Sequence, residues 1–189
     1  MRSLILLFSR LYELQKFEYI APKKTEMKIF ALLTIVFFTV NFSHAQTKTF
    51  KSNLFPVTFN LSEEWTAEDK EEYKKIILTH NQWGPLYIER AAGVTFDEVY
   101  SYVKRMNFVD STGKVNEGVD FKEGVTTVNG RTAKYMIGVA KNGNETNGPW
   151  TYLHYFIKKS DTDFYYFRAD IRANAKEKFL TAINSFVIQ

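Results

Sequence analysis

Residues 150–171 read WTYLHYFIKKSDTDFYYFRADI. Two apolar runs flank a polar stretch, which is the pattern of a strand, a turn and a second strand. Alternate side chains of a strand point to opposite faces. One face of this pair carries Leu153, Tyr155 and Ile157 with Tyr165, Phe167 and Ile171. The other carries Trp150, Tyr152, His154 and Phe156 with Phe164, Tyr166 and Arg168. A sheet with one wet side shows polar residues there. This pair is apolar on both sides, so both faces need a cover. The expected class is α+β, an antiparallel sheet covered by helices on both faces.

The neighbouring sequence supplies more strands and two helices. Residues 119–128 and 131–141 flank Asn129-Gly130. That dipeptide between β-rich runs predicts a hairpin, because a type I′ turn needs positive φ at both central positions. Residues 56–61 alternate Val57, Phe59 and Leu61 with polar neighbours, and 86–91 form a short apolar run after Gly84-Pro85. Both read as strands. Residues 95–108 are the clearest helix. Thr95 caps it, Glu98 completes a capping box, and Phe96, Val99, Tyr102, Val103 and Met106 are its expected apolar face. Asn174 with Glu177 predicts the cap of a last helix facing inward through Phe179, Leu180 and Ile183. Residues 62–80 are less clear: Thr66 with Asp69 reads as a helix cap, with Tyr73, Ile76 and Ile77 as a weak stripe. Residues 142–149 are a loop by composition.

This order of elements resembles the PsbP-like fold. The resemblance covers most of 54–189 and rests on Phe59-Asn60-Leu61 followed by Trp65, the helix at 95–108, the long hairpin with Asn129-Gly130-Arg131, and the closing Ile183-Asn184-Ser185-Phe186. It implies an α/β/α sandwich and an accessory, assembly or binding role. It implies no catalytic set, and it transfers no site residue.

The counts bound the rest. The chain has 189 residues, 45% hydrophobic and 16% aromatic, with no cysteine. That composition excludes a disordered chain, a disulfide framework and any thiolate chemistry. Residues 27–46 read MKIFALLTIVFFTVNFSHAQ, with Lys28 first, then 14 apolar-rich residues, then Ser43-His44-Ala45. This is the pattern of a secretory signal peptide cleaved between Ala45 and Gln46, and the run is short of the roughly 20 residues of a membrane span. Residues 1–26 read as an upstream extension, with translation starting at Met27. The expected domain is then 46–189, a single one, exported to the periplasm or beyond the cell. Residues 1–45 hold six basic and three acidic residues. Taken from the 25 and 21 of the whole chain, they leave 19 and 18, a net charge of +1. The pI of about 9.1 therefore reflects mostly the leader. Nucleic-acid capture needs a concentrated positive field, and residues 46–189 lack one.

Several chemistries have no sequence support. Only His80 and His154 follow the leader, 74 residues apart, and no Gly-x-Ser-x-Gly, Walker or dinucleotide pattern occurs. No metal site and no cofactor is expected. Asn142-Gly143-Asn144-Glu145 starts like a calcium loop, but Leu153 stands where the twelfth position needs Glu. The acidic stretch Glu63, Glu64, Glu68, Asp69, Glu71 and Glu72 reads as a solvated face or a surface for a cation or basic partner. Asp110-Ser111-Thr112 resembles a short bacterial O-glycosylation acceptor, or is an ordinary turn.

Two features keep a binding function in view. Trp150, Tyr152, His154, Tyr166 and Arg168 share one sheet face, and Trp, Tyr and Arg are the usual anchors of binding patches. The same residues also suit a helix-covered core. The turn Gln82-Trp83-Gly84-Pro85 places Trp83 either under the sheet edge or out for contact. The leading reading is an exported, non-catalytic accessory protein that binds a protein or peptide of the cell envelope. The alternative is a small-molecule binder, of a lipid or sugar, with a pocket under the 95–108 helix. A hydrolase using His80 or His154 beside a carboxylate is the third reading.

Overall fold

Period-two alternation decides most of the architecture. The computed structural model describes residues 47–141 and 148–189. The expectations for the extension at 1–26, the leader at 27–45 and the loop and calcium-like residues at 142–147 lie outside them. Strands β1 (Thr47–Lys51), β2 (Val57–Ser62), β3 (Trp65–Lys70), β4 (Lys75–His80) and β5 (Gly84–Ala92) precede helix α1 (Phe96–Asn107). Then come β6 (Val119–Val128), β7 (Arg131–Ala140), β8 (Trp150–Ser160), β9 (Asp163–Arg172), helix α2 (Lys176–Asn184) and β10 (Val187–Ile188). Seven strands form one antiparallel sheet in the order β3-β4-β5-β9-β8-β7-β6, and β1, β2 and β10 form a second, antiparallel one. Among the described residues no helix is long and apolar enough to cross a membrane.

The two sequence-predicted hairpins are present. Asn129 and Gly130 hold φ of 46° and 75°, the left-handed values that a type I′ turn requires. The capping box of α1 is formed: the Glu98 N–H donates to Thr95 Oγ1 at 3.4 Å, and the Thr95 N–H donates to Glu98 Oε2 at 3.3 Å.

Each face of the large sheet carries a buried cluster. On one side Leu153, Ile157, Tyr165 and Phe167 pack with Phe59 of β2, Phe179 of α2 and Phe186. The Phe186 ring lies 5.0 Å from both Tyr165 and Phe167 and 5.3 Å from Phe59. On the other side Met136, Phe156 and Phe164 pack with Phe96 and Val103 of α1 and with Phe108 and Val109 beyond it. The structure is therefore α+β, mostly antiparallel sheet with two short helices. The cover on the first side includes the small sheet as well as α2, so the expected purely helical layers are not what the fold builds.

Three local expectations are corrected. Residues 62–80 form no α-helix; one 3-10 turn, Glu71–Tyr73, links β3 to β4. Ile76, Leu78 and His80 are buried in alternation with half-buried Lys75, Ile77 and Thr79, and two strands result. Asp69 does not cap a helix; its carboxylate accepts from Ser52 Oγ at 2.6 Å and the Asn53 N–H at 2.7 Å. The buried stripe of α1 is Phe96 and Val103 flanked by Val99 and Tyr100, while Tyr102 and Met106 are exposed. At 100° per residue Tyr102 lies about 110° and Met106 about 70° around the helix from the centre of that stripe. Asn174 does not cap α2: a 3-10 turn, Ala173–Ala175, leads into it and Ala175 stands at the cap.

Candidate functional site

The aromatic face is built by strand register. Residues paired across antiparallel strands project to the same side. Trp150 pairs with Arg172, Tyr152 with Asp170, His154 with Arg168 and Phe156 with Tyr166. β5 extends the same face, with Tyr87 opposite Arg168 and Glu89 opposite Tyr166, and β4 adds Lys75 opposite Glu89 and Ile77 opposite Tyr87.

Helix α1 covers one part of this face and leaves the rest open. Under it, the Phe96 ring lies 5.2 Å from Phe164 and 6.1 Å from Phe156, both edge-on, and Tyr100 lies 5.3 Å from Phe156. The Tyr100 hydroxyl donates to Glu123 at 2.8 Å, and burial raises its pKa above the ordinary tyrosine value. Tyr166 stacks on Phe156 at 4.8 Å. The face beneath α1 is packed with rings.

His154 belongs to the covered part. It is 2% exposed, its ring stacks on Tyr166, and Phe108 meets it edge-on at 5.2 Å. Burial, with the nearby Arg168 charge, pushes its pKa down to about 4. The neutral imidazole then accepts the Tyr166 hydroxyl hydrogen at Nδ1, over 2.6 Å. Burial raises the Tyr166 pKa, which keeps that hydroxyl a donor. This histidine is fixed as a neutral acceptor within a packed layer.

His80 lies elsewhere, on the opposite side of the sheet beside Trp65, with ring centroids 5.0 Å apart. Its Nδ1 accepts the Gln82 N–H at 3.1 Å. Its Nε2 is 3.5 Å from Glu64 Oε2, longer than an ordinary N–H···O bond. Glu64 is itself held by Lys178 at 2.6 Å, and that contact lowers its pKa. Burial lowers the pKa of His80. Among the described residues no group of three or more His, Asp and Glu is placed to hold a metal ion.

The open part of the face is a run of cations and rings. Arg168 is exposed and lies over the Tyr87 ring at 5.4 Å. Lys75 lies 5.9 Å from the Tyr87 ring and 5.7 Å from the exposed Tyr73 ring, with Glu89 at 3.3 Å. At one corner Arg172 stacks over Trp150 at 3.9 Å, and Trp150 remains 41% exposed. The structure thus places Trp150, Tyr152, His154, Tyr166 and Arg168 on one face, with His154 buried and Tyr152 and Tyr166 half-buried. Trp83 is not with them; it packs, partly buried, against the cluster on the other side. Sequence reasoning missed Tyr73, Lys75, Tyr87, Glu89 and Arg172. For Lys75 the alternation through 75–80 was the available signal, and reading 62–80 as a helix hid it; Tyr87 and Glu89 lie in the expected strand at 86–91, whose place beside β9 no local pattern gives. Asp110-Ser111-Thr112 is a turn in which Asp110 Oδ1 accepts from the Thr112 N–H at 2.8 Å and its hydroxyl at 2.6 Å.

No protein-family model matches the chain, and no curated protein matches it. Solved structures do. The fold is similar to that of PsbP. The solution structure of cyanobacterial PsbP (CyanoP) from Synechocystis sp. PCC 6803 aligns over 79% of this chain and 96% of that one, at a TM-score of 0.47 and 12% identity. A crystal structure from Bacteroides thetaiotaomicron aligns over 76% of this chain at a TM-score of 0.47 and 13% identity. The match spans about half of that protein, 49% of its length. Neither likeness brings a ligand or a residue role to this chain.

Proposed function

We propose that this chain is an exported accessory protein that holds a protein or peptide segment of the cell envelope against the open part of its aromatic face. The observation that carries the reading is Arg168 lying exposed over Tyr87 on a sheet face that α1 leaves uncovered. Exposed Arg, Tyr and Trp side chains on a rigid sheet give contact area with little rotamer freedom to lose. Arg168 accompanies Tyr73, Tyr87 and Trp150 there while Glu89 holds Lys75, so the matching segment presents aromatic side chains and a carboxylate for Arg168. The leader pattern at 27–45 supports export to the periplasm or beyond, and residues 1–26 remain read as an upstream extension. The role is non-catalytic. His154 is committed to Tyr166 inside a packed layer, and His80 faces a carboxylate that already serves Lys178.

The test is capture from an envelope extract by the immobilised protein, beside a Tyr87→Ala, Arg168→Ala double variant whose unfolding midpoint shows that it is folded. The expected result is a partner retained by the wild type and lost by the variant. A partner retained equally by both removes this face from the function.

A further inference from the structure

The β7–β8 ladder runs from Val139 opposite Thr151 to Ala133 opposite Ile157, and stops there. Past that row β7 turns into β6 and β8 turns into β9, so the ends of the two hairpins diverge. Between 130–132 on one wall and 158–161 on the other lies a cleft of about 470 Å³. β8 carries a bulge at this point: Lys158 pairs with Phe164 and Ser160 with Asp163, leaving Lys159 as the extra residue. A bulge ends regular pairing and re-aims the side chain it adds.

The lining is strongly cationic. Arg131, Lys158 and Lys159 line the cleft with a single acid, Asp161, which already pairs with Lys158. Behind them Asp163 is occupied as well. The Arg90 fork reaches its two oxygens at 2.8 Å each, and Lys159 stands at 3.1 Å. Those cations hold the Asp163 carboxyl well below its usual range, so it stays ionised and paired. The Arg131 guanidinium has no ion pair and no side-chain hydrogen bond among the described residues. Its planar set of N–H donors matches phosphate or carboxylate oxygens two at a time. Thr132 and Ser160 line the cleft on its opposite walls.

We propose that this cleft is a binding site for a phosphate monoester, with the Arg131 fork as its main contact and Lys159 and Ser160 closing on it from the other wall. Arg90, Arg131, Lys158 and Lys159 against Asp161 and Asp163 leave two positive charges to be met, and a phosphate monoester carries about −1.5 to −2 near neutral pH, more than a carboxylate. The cleft is open to solvent, so the group attached to the phosphate extends outward from it. This site is separate from the aromatic face, and its test does not depend on any protein partner.

The experiment is titration of the full chain with inorganic phosphate and with glycerol phosphate, followed by amide chemical shifts. The expected result is saturable shifts confined to 130–132 and 158–161, with acetate binding more weakly. Arg131→Gln should weaken phosphate about tenfold, the loss of one charge-assisted contact, and Arg131→Lys should restore part of it. Co-sedimentation with phosphatidic acid vesicles, released by inorganic phosphate, would assign the ester to a lipid headgroup. Saturable phosphate binding without co-sedimentation would assign it to a soluble molecule. Shifts spread over exposed lysines elsewhere, no saturation, or equal affinity in a well-dispersed Arg131→Gln variant would overturn the proposal.

Discussion

His154 shows how one side chain can tie stability to pH in this fold. Its ring is enclosed by Phe108 and Tyr166, and burial lowers its pKa from 6.5 to about 4. In an unfolded chain the same imidazole takes up a proton near pH 6.5. Between those values the unfolded state binds more protons than the folded one, so stability rises with pH. The contribution is complete above about pH 6.5, shrinks as the pH falls through the window, and levels off below about 4. Going from pH 7 to pH 5, the loss from this residue is roughly 2 kcal/mol. His80, whose pKa burial also lowers, acts in the same direction. Urea unfolding at the two pH values should show a drop that is smaller by about that amount in His154→Gln, whose amide oxygen can still accept from Tyr166. An identical drop in both proteins would refute the assignment. The sequence placed His154 among rings on one face. Its partner was not legible, because Tyr166 reaches it only through a diagonal of the β8–β9 register.

At the scale of elements, local rules read well and non-local ones did not. The Asn129-Gly130 turn follows from backbone sterics alone and formed where expected. The second task of Asn129 could not be read locally. Its side-chain amide donates to the carbonyls of Asn184 at 3.1 Å and Phe186 at 2.5 Å, joining the hairpin to the end of α2. Two substitutions separate the tasks. Asn129→Gly keeps the positive φ and removes the two donors, so thermal or urea unfolding should show a loss of about 1 kcal/mol. Asn129→Asp keeps turn preference but sets a carboxylate against two carbonyls, and the loss should be greater, about 2–3 kcal/mol. If both match the wild type, the amide contributes nothing and only the turn matters. The misread stretch 62–80 has the same origin. Its acidic residues and Thr66 resemble a helix start, yet Asp69 is recruited by Ser52 and Asn53, 17 and 16 residues away in sequence.

For the whole molecule, apolar residues on both faces of one hairpin led to the expectation of a cover on each side; buried clusters lie on both faces, and α1 covers only part of one. The identity of one cover was less legible, because it includes short strands that pair only with each other and with the chain's end. Phe186 is where that end enters the core, with Phe59, Tyr165 and Phe167 around it. Removing its ring leaves a cavity among buried aromatics that cannot collapse freely, so Phe186→Ala should lower stability by about 3–5 kcal/mol. Arg168 occupies the opposite side of the sheet and is exposed, with its charge over a half-buried ring. Arg168→Ala removes no core volume and should change stability by about 0.5–1 kcal/mol at most. The contrast, read from urea midpoints of the two variants, separates a face that the fold needs from one that it leaves open. A loss for Arg168→Ala as large as that for Phe186→Ala would make Arg168 part of the packing. The open face would then lose its claim as a binding surface. A near-wild-type midpoint means that the fold does not require an arginine over Tyr87, which is the condition that the binding reading sets for this residue.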